Sequence, residues 1–177
     1  MKSMSIFTIA NLASLRNFKA LYKLLIVVSV IALLGAYATE YIMNLPPCVL
    51  CVYQRYCYYL LIVFSAIGFA KPANKPVIWL VAATILSACL IAGYHASVER
   101  RIIAASKHCS SQVKISDNLS IAEIKDMLYE KPVASCERAA LKFIGLSMAE
   151  WNLLLNLGLL VILYNLWKYK RNNHAEA

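Results

Sequence analysis

Leu24-Leu-Ile-Val-Val-Ser-Val-Ile-Ala-Leu-Leu-Gly-Ala-Tyr-Ala38 contains no charged residue. Continued to Met43 the stretch reaches the roughly 20 mostly apolar residues that a helix needs to cross a bilayer. Three further segments behave alike: Tyr56 to Ala70, Val77 to Val98, and Trp151 to Trp167. The second extends back to the turn at Cys48. The fourth extends to Ser147, where Ser147-Met-Ala-Glu150 has the serine-x-x-glutamate form of a capping box. The expected spans are therefore about 24–43, 50–70, 77–98 and 148–167. The fold class is an all-α membrane protein, a four-transmembrane-helix bundle in one domain over 1–177. Composition agrees, because 61% of the 177 residues are hydrophobic and only 15% charged, which excludes an ordinary soluble domain. Five glycines and five prolines exclude a collagen-like or disordered chain. The net charge of +9 is scattered around the apolar stretches and forms no basic stripe, so it argues for membrane orientation and not for nucleic acid.

Lys2, Arg16, Lys19 and Lys23 precede the first span, Lys71 and Lys75 lie between the second and third, and Lys168, Lys170 and Arg171 follow the fourth. Those nine basic residues share one side with a single acid, Glu176. The other nine are spread over a longer stretch beside eight acids, so the positive-inside rule puts both termini in the cytoplasm. A short loop at about 44–50 and a long one at about 99–147 then face outward. Ala36-Tyr-Ala38 after an apolar run also has the form of a signal-peptide cleavage site. Small residues are common in spanning helices, and with either reading the chain after residue 40 starts outside. Within the long loop, Ser120-Ile-Ala-Glu123 is a second capping-box match, with Ile121, Ile124 and Leu128 at helical spacing. It reads as a short amphipathic helix, on the outer membrane surface or in a soluble loop.

Six cysteines allow fifteen complete pairings, and topology sorts them. Cys48, Cys51, Cys109 and Cys136 fall outside, where a bacterial envelope is oxidising; Cys57 and Cys89 fall in spans, where cysteine acts as a small apolar residue. Cys48-Val-Leu-Cys51 is a C-x-x-C, compatible with zinc or with redox chemistry. It opens a helix, and helix-terminal N–H groups stabilise a thiolate, which favours redox. So does its very short loop, which gains little from chain entropy as a staple. A bridge between Cys109 and Cys136 taken alone would be a staple worth about 3 kcal/mol or more. Beside an outward C-x-x-C, two disulfides suggest a relay, because exchange passes oxidising equivalents between neighbouring pairs.

Arg55 lies four residues after Cys51 and seven after Cys48, on one helical face with both. Its ordinary role would be to snorkel to head groups. Its functional role would be to stabilise the Cys51 thiolate and hydrogen-bond a carbonyl of a membrane-dissolved acceptor. His95, with Glu99 one turn on, ends the third span on the same side and would line that pocket or rest at the interface. A buried structural disulfide lies below about −300 mV and a strong extracytoplasmic oxidant near −120 mV, a gap of about 8 kcal/mol that an ordinary disulfide cannot supply. A lipid-soluble acceptor, a quinone, fits. No flavin or dinucleotide fingerprint is present, and His95 is the only histidine in an expected span.

Pro47-Cys48-Val-Leu-Cys51-Val-Tyr-Gln-Arg55, Tyr94-His95-Ala-Ser-Val-Glu99, Ser135-Cys136-Glu137 and Gly145-Leu-Ser-Met-Ala-Glu-Trp151-Asn152 together resemble the DsbB family over essentially the whole chain. The resemblance implies a thiol:quinone oxidoreductase of the bacterial inner membrane, using ubiquinone or menaquinone, that re-oxidises a DsbA-like periplasmic thiol oxidase. It implies further that Cys109 is attacked by that partner and pairs with Cys136, that Cys48 and Cys51 re-oxidise this pair, and that Cys51, nearest Arg55, engages the quinone. No metal is implied. Gln54 stands where some members carry an acid, which bears little on the reading; Arg100-Arg101-Ile102-Ile103 lacks the Trp, Gly and Pro character of many members, so the resemblance does not identify which oxidase docks there. Two rival readings are a non-catalytic membrane protein holding zinc on Cys48, Cys51, Cys109 and Cys136, with His108 as a further ligand, and a scaffold with two disulfide staples.

Overall fold

The computed structural model describes residues 18–72, 75–105, 109, 135–137 and 141–175. Four helices dominate: α1 (Phe18–Tyr41), α2 (Val49–Ala70), α3 (Lys75–Glu99) and α4 (Met148–Ala175). All four are long and apolar enough to cross a membrane. The first begins six residues before the expected span, at Phe18, and stops two short of it, at Tyr41. The early start has a packing cause, because Phe18, Leu21, Tyr22 and Leu25 recur at helical spacing and are all buried.

Helices adjacent in sequence are adjacent in space, α1 on α2, α2 on α3 and α3 on α4, with α4 returning lightly to α1. The core is a continuous apolar seam through Leu21, Leu25, Leu61, Val81, Ile85 and Leu159. The outer surface is equally apolar, with Leu34, Trp79 and Leu90 each about two-thirds exposed, as for side chains that face lipid. Near one end, α1 and α2 approach so closely that a Cβ on Gly68 would lie 2.5 Å from the Tyr22 ring.

The expected capping box at the start of α4 is present and reciprocal: Ser147 Oγ accepts from the Glu150 N–H at 3.2 Å, and Glu150 Oε2 accepts from the Ser147 N–H at 2.9 Å. Before it lies a hairpin that the sequence reading did not anticipate. Strands β1 (Lys142–Phe143) and β2 (Leu146–Ser147) pair antiparallel across Ile144 and Gly145, both at positive φ. That turn type is signalled by Asn-Gly or Asp-Gly, and isoleucine there hides it. Trp151 anchors the hairpin by donating from Nε1 to the Phe143 carbonyl at 2.9 Å. The amphipathic helix expected from Ser120 lies outside the described residues.

Candidate functional site

The end of α1, the start of α2, the end of α3 and the start of α4 meet at one end of the bundle, and the sequence-selected residues collect there. Pro46 and Pro47 cannot continue a helix backwards, so Cys48 adopts an extended conformation and becomes the N-cap of α2. Its sulfur accepts the Cys51 N–H at 3.2 Å and lies 2.7 Å from Cys51 Sγ. The contact with Cys51, and then burial, push the Cys48 thiol up from its ordinary value.

Cys109 and Cys136 are brought to the same place. The Cys136 N–H donates to the Cys109 carbonyl at 3.3 Å, and both side chains are buried in one cluster with Cys48, Leu50 and Val98. Burial, followed by the contact with Cys109, pushes the Cys136 thiol up to about 11. The four cysteines expected to act together thus meet, Cys51 packing against the cluster that holds the other three. All six cysteines are unbonded, and Cys57 and Cys89 lie buried outside this cluster, within α2 and α3.

Arg55 lies close to the C-x-x-C, but its guanidinium is turned toward α1. Nη1 donates to Glu40 Oε2 at 2.5 Å, Nη2 to the Ala36 carbonyl at 3.2 Å, and the cation sits 4.8 Å from the centre of the Tyr37 ring. Its Nε is buried and has no partner. Glu40 thus shares the charge that Arg55 is expected to offer Cys51. Glu40 carries a signal that sequence reading passed over: an acid in the last turn of an apolar helix long enough to span, available to an arginine in the first turns of the next.

His95 is buried, with Nε2 3.5 Å from Cys48 Sγ and 3.4 Å from Glu99 Oε1. Behind the ring runs a row of polar side chains. Gln54 Nε2 faces His95 Nδ1 at 3.4 Å, Asn152 Nδ2 donates to Gln54 Oε1 at 2.7 Å, and the Tyr58 hydroxyl donates to Asn152 Oδ1. Asn156 Nδ2 closes the row on Asn152. Tyr58 and Asn156 were not singled out from the sequence, although an asparagine in mid-span is itself a pointer to a site.

A cavity of about 540 Å³ opens between the helices, lined by Ala32, Gly35, Cys51, Arg55, Trp151 and Leu155 among others, and reached also by Cys48, His95 and Glu99. It is mostly apolar with a few convergent polar groups, the usual character of a small-molecule site. The sulfurs of Cys48 and Cys51 and a ring nitrogen of His95 lie within 4.8 Å of one another, a possible three-donor metal set. It differs from the four-cysteine set expected for zinc, and His108 lies outside the described residues.

Residues 18–166 match the family model described as disulfide bond formation protein DsbB. An uncharacterized protein of Rickettsia prowazekii (strain Madrid E) is 44% identical over 158 residues, covering 89% of this chain and 92% of that protein. Disulfide bond formation protein B of Dechloromonas aromatica is 24% identical over 144 residues, 78% of this chain and 84% of the relative. Disulfide bond formation protein B 1 of Pseudomonas putida is 28% identical over 123 residues, 67% and 71% of the two chains. No solved structure matches the chain.

Proposed function

The chain belongs to the DsbB family of disulfide bond formation proteins, and from that premise we propose that it re-oxidises a DsbA-like periplasmic thiol oxidase and delivers the electrons to a membrane quinone. It is a multi-pass membrane protein with four spanning helices; the proposal sets it in the bacterial inner membrane with both termini cytoplasmic, as the distribution of basic residues favours. Partner thiols attack the Cys109–Cys136 disulfide at Cys109, and Cys136 then exchanges with Cys48 of the Cys48–Cys51 disulfide. The single observation that carries this reading is the buried cluster shared by Cys48, Cys109 and Cys136, with Cys51 packed against it, because exchange needs the attacking sulfur close to its target.

The cavity beside Cys51 suits a quinone. Its wall is largely apolar, and Arg55 lines it, a guanidinium being a donor of the kind a ring carbonyl satisfies. Arg55 and His95 would hold such a ring. Two thiols becoming a disulfide release two electrons and two protons, which is what a bound ubiquinone or menaquinone takes up. Glu40 keeps the guanidinium oriented and balances its charge, so the site suits a neutral acceptor.

The test is quinone reduction by the purified protein in detergent on addition of a reduced thioredoxin-fold oxidase, with Cys109→Ser as control. Turnover that disappears in Cys109→Ser supports the relay and its entry point. The donor set of Cys48, Cys51 and His95 favours a second reading, a metal-holding protein. Absence of turnover with either quinone, together with stoichiometric bound zinc, would select it.

A further inference from the structure

We propose that Asn156, Asn152 and Gln54 hold His95 as the tautomer with its proton on Nε2, so that His95 serves Cys48 as a hydrogen-bond donor and not as a base. The argument begins at a group with no choice of role. The Asn152 backbone carbonyl only accepts, so the Asn156 side-chain atom 2.8 Å from it is the amide nitrogen. That nitrogen is also 2.8 Å from the Asn152 side chain, which therefore turns its oxygen toward it. The Tyr58 hydroxyl donates to the same oxygen. The Asn152 nitrogen is left to face Gln54 at 2.7 Å, so Gln54 presents its oxygen there. Its nitrogen then faces His95 Nδ1 at 3.4 Å. A ring nitrogen facing a donor is bare, and the neutral imidazole carries its proton on the other nitrogen.

That proton points to Cys48 Sγ and Glu99 Oε1, 3.5 and 3.4 Å from Nε2. The inference rests on the proposed relay for its consequence. When a Cys109 thiolate attacks Cys136 of a Cys48–Cys136 disulfide, the Cys109–Cys136 bond forms, the Cys48–Cys136 bond breaks and the electron pair departs on Cys48. A donor already aimed at that sulfur stabilises the leaving thiolate. His95 touches the reacting sulfur; Gln54, Asn152 and Asn156 act through it as positioning residues. Gln54 is the member of the row whose amide faces the ring directly. A carboxylate at that position would accept from Nδ1 and put the ring proton on the wrong side for Cys48.

The test is nitrogen NMR of the full-length protein in detergent with labelled histidine, the His95 signals being identified by their loss in His95→Asn. The expected spectrum has Nε2 protonated and Nδ1 bare; a proton on Nδ1 overturns the proposal. Asn152→Leu frees Gln54 to rotate without touching the ring, and is expected to populate both tautomers. A single unchanged tautomer in a variant of unaltered helix content would show that the row does not set it. With the other five cysteines replaced by serine, iodoacetamide alkylation of Cys48 should slow about tenfold in His95→Phe, the loss of one hydrogen bond to a charged sulfur, and by a smaller factor in Asn152→Leu. Unchanged rates in both variants would remove the role at Cys48. None of these measurements uses quinone or partner, so failure of the relay itself would appear separately, in the turnover assay.

Discussion

Arg55→Ala, alone and combined with Glu40→Gln, separates two tasks that one guanidinium performs. The pair is close, 2.5 Å between Nη1 and Oε2, with side chains only 12% and 24% exposed. At a charge separation of about 4 Å and an effective dielectric near 20, the Coulomb attraction is about 4 kcal/mol. Desolvation offsets roughly half, leaving about 2 kcal/mol of net support. Arg55→Ala should therefore destabilise the bundle by about 2 kcal/mol or somewhat more, because it strands the Glu40 carboxylate beside an apolar cavity. Adding Glu40→Gln removes the stranded charge and should return about 1–2 kcal/mol. Quinone reduction should not return with it, because the guanidinium of a cavity-lining residue is still missing; the quinone concentration needed for half-maximal rate should stay raised about tenfold in both variants. Stability is read from unfolding in mixed micelles with increasing dodecyl sulfate, and function from initial rates over a quinone series. Restoration of quinone reduction in the double variant would refute the reasoning, since Arg55 would then do no more than balance Glu40.

Cys51→Ser should abolish quinone reduction while Cys89→Ser leaves it nearly intact, measured as turnover with a reduced oxidase; a folded but inactive Cys89→Ser would overturn the sorting of the cysteines. Cys136, pushed up to about 11, is a protonated thiol at neutral pH in the reduced protein, so its alkylation rate should climb about tenfold per pH unit until pH approaches that value. A plateau near the ordinary cysteine value of about 8.5 would contradict the burial that raises it. Gly68→Ala places a methyl 2.5 Å from the Tyr22 ring and should destabilise by about 1–3 kcal/mol. A smaller ring-position residue should recover most of this, so Tyr22→Leu in the Gly68→Ala background is the check by the same unfolding assay.

The parts of this molecule that were legible in its sequence are those governed by local patterns. An apolar run announces a span wherever it falls, and Ser147 with Glu150 announces a helix start that the hydrogen bonds reproduce. The C-x-x-C, Arg55 and His95 were selected by residue type near a helix end, and all line one cavity. What stayed hidden depends on contacts between segments distant in sequence. Glu40 acquires meaning only from Arg55 across a helix pair, and Asn156 only from Asn152 and Tyr58. The meeting of Cys48, Cys109 and Cys136 in one cluster was expected only through the family resemblance, since no spacing rule connects the segments that carry them. The hairpin before α4 was missed for a different reason, since its turn places isoleucine where small or amide residues normally stand.

The capping sulfur of α2 gives the site a property that follows from its position alone. Cys48 accepts the amide hydrogen of Cys51, the residue with which it trades electrons in the proposed relay. As the sulfur passes between thiolate, thiol and disulfide, its strength as an acceptor changes, and the backbone at the head of the helix registers each change. The Cys51 amide is thus an internal gauge of oxidation state: its exchange with solvent and its resonance frequency would follow electron occupancy without any dye, label or added quinone.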